Sequence, residues 1–309
     1  ATIATDICTL ELEAADGSAL PAFSAGSHID VHLPGGITRQ YSLCNDPKER
    51  HRYIIAVLRE PNGRGGSALM HDAVKQDHIM RISEPRNNFP LAGREANFHL
   101  LLAGGIGITP IMAMIAELET RGDDYLLHYC TRSLERTAFL QRLEPLIAEG
   151  KAILHQDGGD PSRGLDIAAT LAEHSPGKHV YVCGPAGLMA AAKNSAGSWP
   201  PHAVHFEHFS ATELTEEERA WDEKPFQVKI NSTGQVLDIL AHDSIVEVLR
   251  DHGIDVETSC EEGFCGTCLT RYLEGEPVHR DTVLSDGERK SYVMVCRARS
   301  RTPLLVLDL

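Results

Sequence analysis

The sequence has no apolar run approaching the length of a membrane span, no low-complexity segment and no internal repeat. These absences argue against a membrane protein, a disordered chain and a solenoid. Positive charge is also scarce: 29 Lys and Arg stand against 44 Asp and Glu, a formal net charge of −15. A chain of that sign repels phosphate backbones and anionic lipid, so neither nucleic acid nor a membrane is an expected partner. The opening stretch ATIATDICTLELE has neither a basic region nor an apolar core, so a reducing cytoplasm is the expected location. What is present is an ordinary globular composition, 42% hydrophobic and 24% charged. The 309 residues suffice for two or three domains.

Eight cysteines divide into two kinds. Cys8, Cys44, Cys130 and Cys183 stand singly among apolar neighbours and read as small buried hydrophobes. Cys260, Cys265 and Cys268 crowd into SCEEGFCGTC, with Cys296 far downstream in VMVC. A disulfide framework would need an oxidising compartment, and structural zinc favours two separated ligand pairs, of which this stretch has one. The spacing Cys-x4-Cys-x2-Cys with a distant fourth cysteine is that of a plant-type [2Fe-2S] ferredoxin. Gly263 and Gly266 allow the loop to curl and aim amides at sulfur. Glu261 and Glu262 in the same loop are expected to steer a basic acceptor.

Residues 1–93 alternate in short β-branched runs (TLELEA, HIDVHL, RQYSLC, RYIIAVL, HIMRIS) with one helical patch, GSALMHDAV, which predicts a small antiparallel barrel. RQYSL (39–43) and GRGGS (63–67) offer Arg39 and Arg64 to a phosphate, with Gly65, Gly66 and Ser67 as a nest of amides and a hydroxyl. The plain alternative is a solvated strand face with a half-buried tyrosine. From residue 97 the rhythm becomes strand, loop, helix, which predicts a doubly wound parallel sheet with helices near 136–149, 164–174 and 185–194. In LLLAGGIGITPIMAM a strand runs to Ala103, glycines turn, and Pro110 takes the first helical position. The amides of Gly104, Gly105 and Gly107 would then face a pyrophosphate. This is not G-x-G-x-x-G, because Pro110 stands at the third glycine position. A second turn, VYVCGPAGLM, belongs at the same sheet edge, where ligands bind. VHFEHF closes the sheet, and period 2 puts Glu207 and Phe209 on one face. The same period sets His202, His205 and His208 apart, which argues against a metal site. The acidic stretch 212–224 reads as a linker.

Taken in order, RQYSL, GGIGITP with CGP, and the cysteine loop resemble the phthalate dioxygenase reductase and vanillate O-demethylase reductase family. The resemblance spans essentially the whole chain. It implies an FMN-binding antiparallel β-barrel domain at 1–94, an NAD-binding α/β domain at 95–222 and a [2Fe-2S] ferredoxin (β-grasp) domain at 226–309. In the flavin domain it implies that Arg39 holds phosphate, Tyr41 lies on the isoalloxazine and Ser42 bonds near N5. Leu43, Ala56 and Val57 follow the ring edge, and Arg64, Gly65, Gly66 and Ser67 form the phosphate loop. Glu207 would approach the flavin, and Phe209 would stack on it. For nicotinamide dinucleotide it implies Gly104, Gly105, Gly107, Thr109, Pro110, Thr131, Arg132, Ser133, Cys183, Gly184 and Pro185, with Ser42, Glu207 and Cys183 nearest the chemistry. Cys260, Cys265, Cys268 and Cys296 would hold the cluster. Relatives with the cluster at the C-terminus use FMN. After YCTR the family often carries an acid for the adenosine ribose; here Ser133 stands, with Arg132 and Arg136 nearby, and NADH is expected over NADPH.

NADH supplies two electrons together, whereas an iron-centred oxygenase takes them singly. A flavin followed by a cluster splits the pair. The expected activity is therefore that of a monomeric NADH-dependent reductase of a terminal Rieske oxygenase, aromatic ring-hydroxylating or O-demethylating. The alternatives are the reductase of a Rieske monooxygenase acting on a non-aromatic substrate such as a quaternary amine, and a redox carrier or sensor without turnover.

Overall fold

The computed structural model describes residues 1–61, 63, 65–93, 95–211 and 214–309, and the candidate Arg64 lies outside them. The chain forms two compact units, Ala1–Glu207 and His208–Leu309.

The first unit opens with antiparallel strands. Ile7–Leu12 pairs with Thr2–Ala4 and Tyr53–Leu58, and Ser27–Leu33 pairs with Ile37–Ser42, Arg81–Ile82 and Arg86–Asn87. A bridge between Leu43 and Ile55 joins the two sheets. Ile29, Val31, Leu43, Ile55, Val57 and Met70 pack between them. Met70 comes from the helix Gly66–Asp72.

Five parallel strands come next, in the order Ala152–Gln156, Tyr125–Thr131, Phe98–Gly104, Lys178–Cys183, Val204–Glu207. Both faces are covered, which is why the central strands read as unbroken apolar runs. Leu101, Ala103, Tyr129 and Cys183 pack with Ile111 and Ile115 of the helix Ile108–Arg121. Leu100, Leu102, Val180 and Val182 pack with Leu188, Met189 and Ala192 of the helix Ala186–Ser195. Each such buried aliphatic side chain contributes roughly 2 kcal/mol. The chain winds outward from Phe98–Gly104 to one side, then returns to Lys178–Cys183 on the other. The switch point of the sheet therefore lies between those two strands. The helix expected over 164–174 is one turn, Ile167–Thr170, capped by the Asp166 carboxylate. Within this unit the antiparallel part and the parallel sheet are joined by Thr5 N–H donating to the Glu135 carbonyl (2.8 Å) and by Arg142 donating to the Cys44 carbonyl (3.2 Å).

The second unit is a mixed sheet in the order Val236–Ile239, Phe226–Ile230, Leu304–Leu307, Leu269–Glu274, Tyr292–Met294. Phe226–Ile230 and Leu304–Leu307 run parallel, and the other neighbours run antiparallel. The helix Ile245–Asp251 buries Ile245 and Leu249 against Val228, Ile239 and Leu305. A capping box between Ser244 and Glu247 satisfies its first amides.

The acidic stretch is not a free linker. A capping box at Thr215 and Glu218 starts the short helix Glu216–Arg219, and two buried arginines tie this helix and residues 221–224 to the rest of the second unit. Arg280 pairs with Asp222 at 2.6 Å and donates to the Glu218 carbonyl. Arg299 donates to the carbonyls of Trp221, Lys224, Leu240 and Asp243. The compact division falls after Glu207, upstream of the 222–226 junction that the resemblance implies.

Candidate electron-transfer and nucleotide sites

The cysteine loop is built from backbone conformations that few side chains tolerate. Gly263 and Gly266 adopt φ of 78° and 80°, and Glu261, with φ 54°, enters the same left-handed region. The Glu261 carboxylate holds that turn, accepting from Arg250 at 2.6 Å and from the Thr258 hydroxyl at 3.0 Å. Arg250, at the last turn of the preceding helix, thereby offsets part of the charge that Glu261 was expected to present beside Glu262.

All four cysteines are nine-tenths buried or more. Cys260 and Cys265 hydrogen-bond each other, as do Cys268 and Cys296. Those bonds lower Cys265 and Cys268, while Cys260 and Cys296 are raised. Amides aim at sulfur as the spacing suggests: Glu262 N–H donates to Cys260 (3.3 Å), and Thr267 N–H to Cys265 (3.5 Å). Among the described residues no three His, Cys, Asp or Glu side chains are placed to hold a single metal ion. Two thiol pairs fit a two-iron cluster, for which these four cysteines would supply the ligands.

At the switch point of the parallel sheet, two turns interlock. A Cβ on Gly107 would sit 2.2 Å from the Cys183 carbonyl oxygen, and one on Gly104 would sit 2.6 Å from Pro185 Cδ. The backbones of Gly104–Gly107 and Cys183–Pro185 thus touch directly, side by side at the carboxyl edge. The strand runs one residue past Ala103, and a 3-10 turn, Gly105–Gly107, precedes the helix, so Pro110 is its third residue rather than its first. Proline fits there because first-turn amides lack partners anyway. The Thr109 hydroxyl is spent on the Ile106 carbonyl at 2.9 Å. Gly107→Ala must displace backbone, so we expect destabilisation of about 1–3 kcal/mol and weakened dinucleotide binding. Thermal unfolding of the variant with and without NADH measures both.

Buried polar atoms collect around the same edge and the first sheets. Glu207 is register partner to Cys183. Its carboxyl is buried with Oε2 unpartnered, and burial pushes its pKa up to about 8. The Cys183 thiol is pushed well above its usual value, first by burial and then by Glu207. The Ser42 hydroxyl is buried and unpartnered at the end of Ile37–Ser42, and burial raises Tyr41 to about 12. The Leu43–Ile55 bridge brings this strand end beside Ala56 and Val57. Arg39 packs over the start of the helix Gly66–Asp72, where a Cβ on Gly66 would lie 2.6 Å from Arg39 Nε. Arg39, Gly65, Gly66 and Ser67 are therefore one cradle, although the Ser67 hydroxyl accepts from Glu60 N–H at 3.0 Å. Unsatisfied buried groups at a strand end beside a glycine-rich helix start suit a polar, phosphate-bearing planar ligand.

Thr131 ends its strand buried, its hydroxyl 3.0 Å from that of Thr137, and Arg132 and Ser133 follow at the edge. Phe209 does not share a strand face with Glu207, because the strand stops at Glu207; Phe209 belongs to the second unit and is 37% exposed. Sequence reasoning missed Arg250 and Thr258, which hold the cluster loop. Only the basic residue in the last helical turn hinted at them.

An antiparallel domain, a doubly wound sheet with a bare glycine edge and a thiol loop together define a nucleotide-dependent electron-transfer protein. Residues 101–194 match the oxidoreductase NAD-binding domain family, and residues 228–301 match the 2Fe-2S iron-sulfur cluster binding domain family. The chain is 48% identical to the vanillate O-demethylase oxidoreductase of Pseudomonas putida, over 99% of this chain and 96% of the relative. It is also 48% identical to the reductase subunit of the tert-butanol monooxygenase / tert-amyl alcohol desaturase of Aquincola tertiaricarbonis, over 95% and 89%. The solved structure of phthalate dioxygenase reductase, described as modular for electron transfer from pyridine nucleotides to [2Fe-2S], superposes with a TM-score of 0.74 at 43% identity, covering 100% of this chain and 95% of that one. The chain belongs to the family of oxygenase reductases that includes phthalate dioxygenase reductase and vanillate O-demethylase oxidoreductase.

Proposed function

We propose that this reductase carries electrons from NADH through FMN and a [2Fe-2S] cluster to the terminal Rieske-type oxygenase of its system, in the cytoplasm and as a monomer. The observation that supports this best is the pairing of the four thiols in a chain that also presents the interlocked glycine turns. When bound, FMN supplies the step no side chain offers, taking an electron pair and releasing single electrons. The residues do the rest. Arg39 and the Gly65–Ser67 amides hold the flavin phosphate, and the family resemblance adds Arg64. Tyr41, Leu43, Ala56 and Val57 shape the ring site, and the Ser42 hydroxyl offers a hydrogen bond near the reacting nitrogen. Gly104, Gly105, Gly107, Thr109, Pro110, Gly184 and Pro185 accept the dinucleotide, Thr131, Arg132 and Ser133 lie at its adenosine end, and Cys183 lies beside nicotinamide. Cys260, Cys265, Cys268 and Cys296 hold the iron.

Glu207 has a specific task. Hydride delivery brings negative charge, and a carboxylate beside it would oppose that charge; kept neutral by burial, the carboxyl does not. With a pKa near 8, Glu207 ionises as pH rises through that value. NADH-driven flavin bleaching, followed by stopped flow, should slow above about pH 8 in the wild type, and Glu207→Gln should remove that limb. An unchanged profile would leave Glu207 without this role.

Cytochrome c reduction by the purified protein with NADH tests the reading as a whole. Sustained turnover is expected, whereas a carrier or sensor would show one stoichiometric event. The equal identity to a vanillate and a tert-butanol system supports placing substrate choice in the oxygenase component.

A further inference from the structure

Arg132, Ser133 and Arg136 follow the carboxyl end of the strand Tyr125–Thr131, and two acids engage this turn, Glu135 at Ser133 and Asp6 at Arg136. Ser133 begins the 3-10 turn Leu134–Arg136 that comes after the strand Tyr125–Thr131. The Glu135 carboxylate accepts from the Ser133 hydroxyl. The next residue, Arg136, is the nearest cation downstream of Arg132, and its guanidinium is held by Asp6 at 3.2 Å. Asp6 lies at the tip of the hairpin between Thr2–Ala4 and Ile7–Leu12, in the left-handed region at φ 61°. That tip is docked rather than loose: Thr5 N–H donates to the Glu135 carbonyl at 2.8 Å, and the Asp6 carbonyl accepts from Arg59 N–H at 2.8 Å. The turn itself is fixed by Arg136 N–H and the Thr137 hydroxyl, both donating to the Ser133 carbonyl.

We infer that NADH is selected over NADPH by Glu135, presented beside Ser133, together with the capture of Arg136 by Asp6 across the hairpin tip. The inference rests on the reading of 131–133 as the adenosine end of the dinucleotide site. A 2′-phosphate there carries about two negative charges. It meets a carboxylate at Glu135, while the cation that could compensate is already paired. NADH carries hydroxyls at that point, and a carboxylate accepts from hydroxyls. Among the described residues of this turn, Arg132 alone remains as a cation without a carboxylate partner, too little for a dianion.

The test uses the intact protein and two probes, 5′-AMP and 2′,5′-ADP, in titration calorimetry, with kcat/KM for NADH and NADPH alongside. Asp6→Asn releases Arg136, so the affinity for 2′,5′-ADP relative to 5′-AMP should rise about tenfold, the scale of one unscreened surface charge against a phosphate dianion. The NADPH to NADH ratio of kcat/KM should follow it. Asp6→Asn combined with Arg136→Gln should cancel the gain, since it is routed through the guanidinium. Glu135→Gln should raise the same ratio independently. The effect should shrink in high salt, because these groups face solvent. Unchanged ratios in both single variants, with 5′-AMP still bound, would overturn the inference and leave the nucleotide site standing. Failure of wild-type protein to bind 5′-AMP at all would overturn the nucleotide site and the inference together.

Discussion

Cys268→Ser protein should bleach its flavin with NADH at close to the wild-type rate and pass electrons to cytochrome c more than about a hundredfold more slowly. Cys268 is 2% exposed and shares a hydrogen bond with Cys296, so its loss strips one of the two ligands from one half of the thiol set. A serine hydroxyl is a harder, far less acidic ligand than a thiol and holds iron poorly. Altering groups that merely surround a metal ligand already costs roughly 10–100-fold, so a lost ligand exceeds that range. In the proposed reading hydride transfer uses the first unit, whose buried core has no residue in common with the one that contains this loop. Circular dichroism shows whether the second unit is still folded. A folded variant that fails to bleach its flavin would reverse the proposed order of carriers.

The second large effect is acid sensitivity of the first unit. His28 sits in the strand Ser27–Leu33 opposite Ser42, with both ring nitrogens buried and unpartnered. Burial first, and Arg86 second, lower its pKa from 6.5 to about 4. Burial lowers His128 and His205 to about 4 as well, with neighbouring histidines adding to it; each lies 3.0 Å or less from its hydrogen-bond partner, His155 and His179 respectively. A histidine whose folded pKa lies below its unfolded one takes up a proton only on unfolding across that window. Stability is therefore full above about pH 6.5 and is lost as pH falls toward about 4. His28 alone accounts for about 3 kcal/mol over the whole window, and the more solvated pairs add less each. Between pH 7 and 5 the first unit's melting temperature should drop by about 10 °C. Differential scanning calorimetry resolves this, and His28→Leu should flatten the slope. A midpoint flat down to pH 5 would contradict it.

Much of the architecture could be read from local pattern. LLLA and VYVC are apolar without alternation because helices cover both faces of their sheet, and the cysteine spacing is set by the geometry of converging thiolates. Contacts between distant residues were not legible. Nothing local says that Arg280 and Arg299 would draw 214–224 onto the cysteine unit, so composition alone made that stretch a linker. Glu261 reads as a surface charge until Arg250 is placed beside it. Period 2 carried Glu207 through to Phe209, but the strand ends between them. The glycines of GGIGITP were read for their amides, and the structure adds that Gly104 and Gly107 are also required by the Cys183–Pro185 turn pressed against them.

The central claim, one chain holding a pair-accepting and a single-electron carrier in series, is tested most directly by counting electrons. Anaerobic reductive titration of the purified protein, followed in the visible spectrum, should consume about three electrons per chain, two at the flavin and one at the cluster. An end point at about two electrons, with zinc or no metal in the cysteine loop, would contradict that claim.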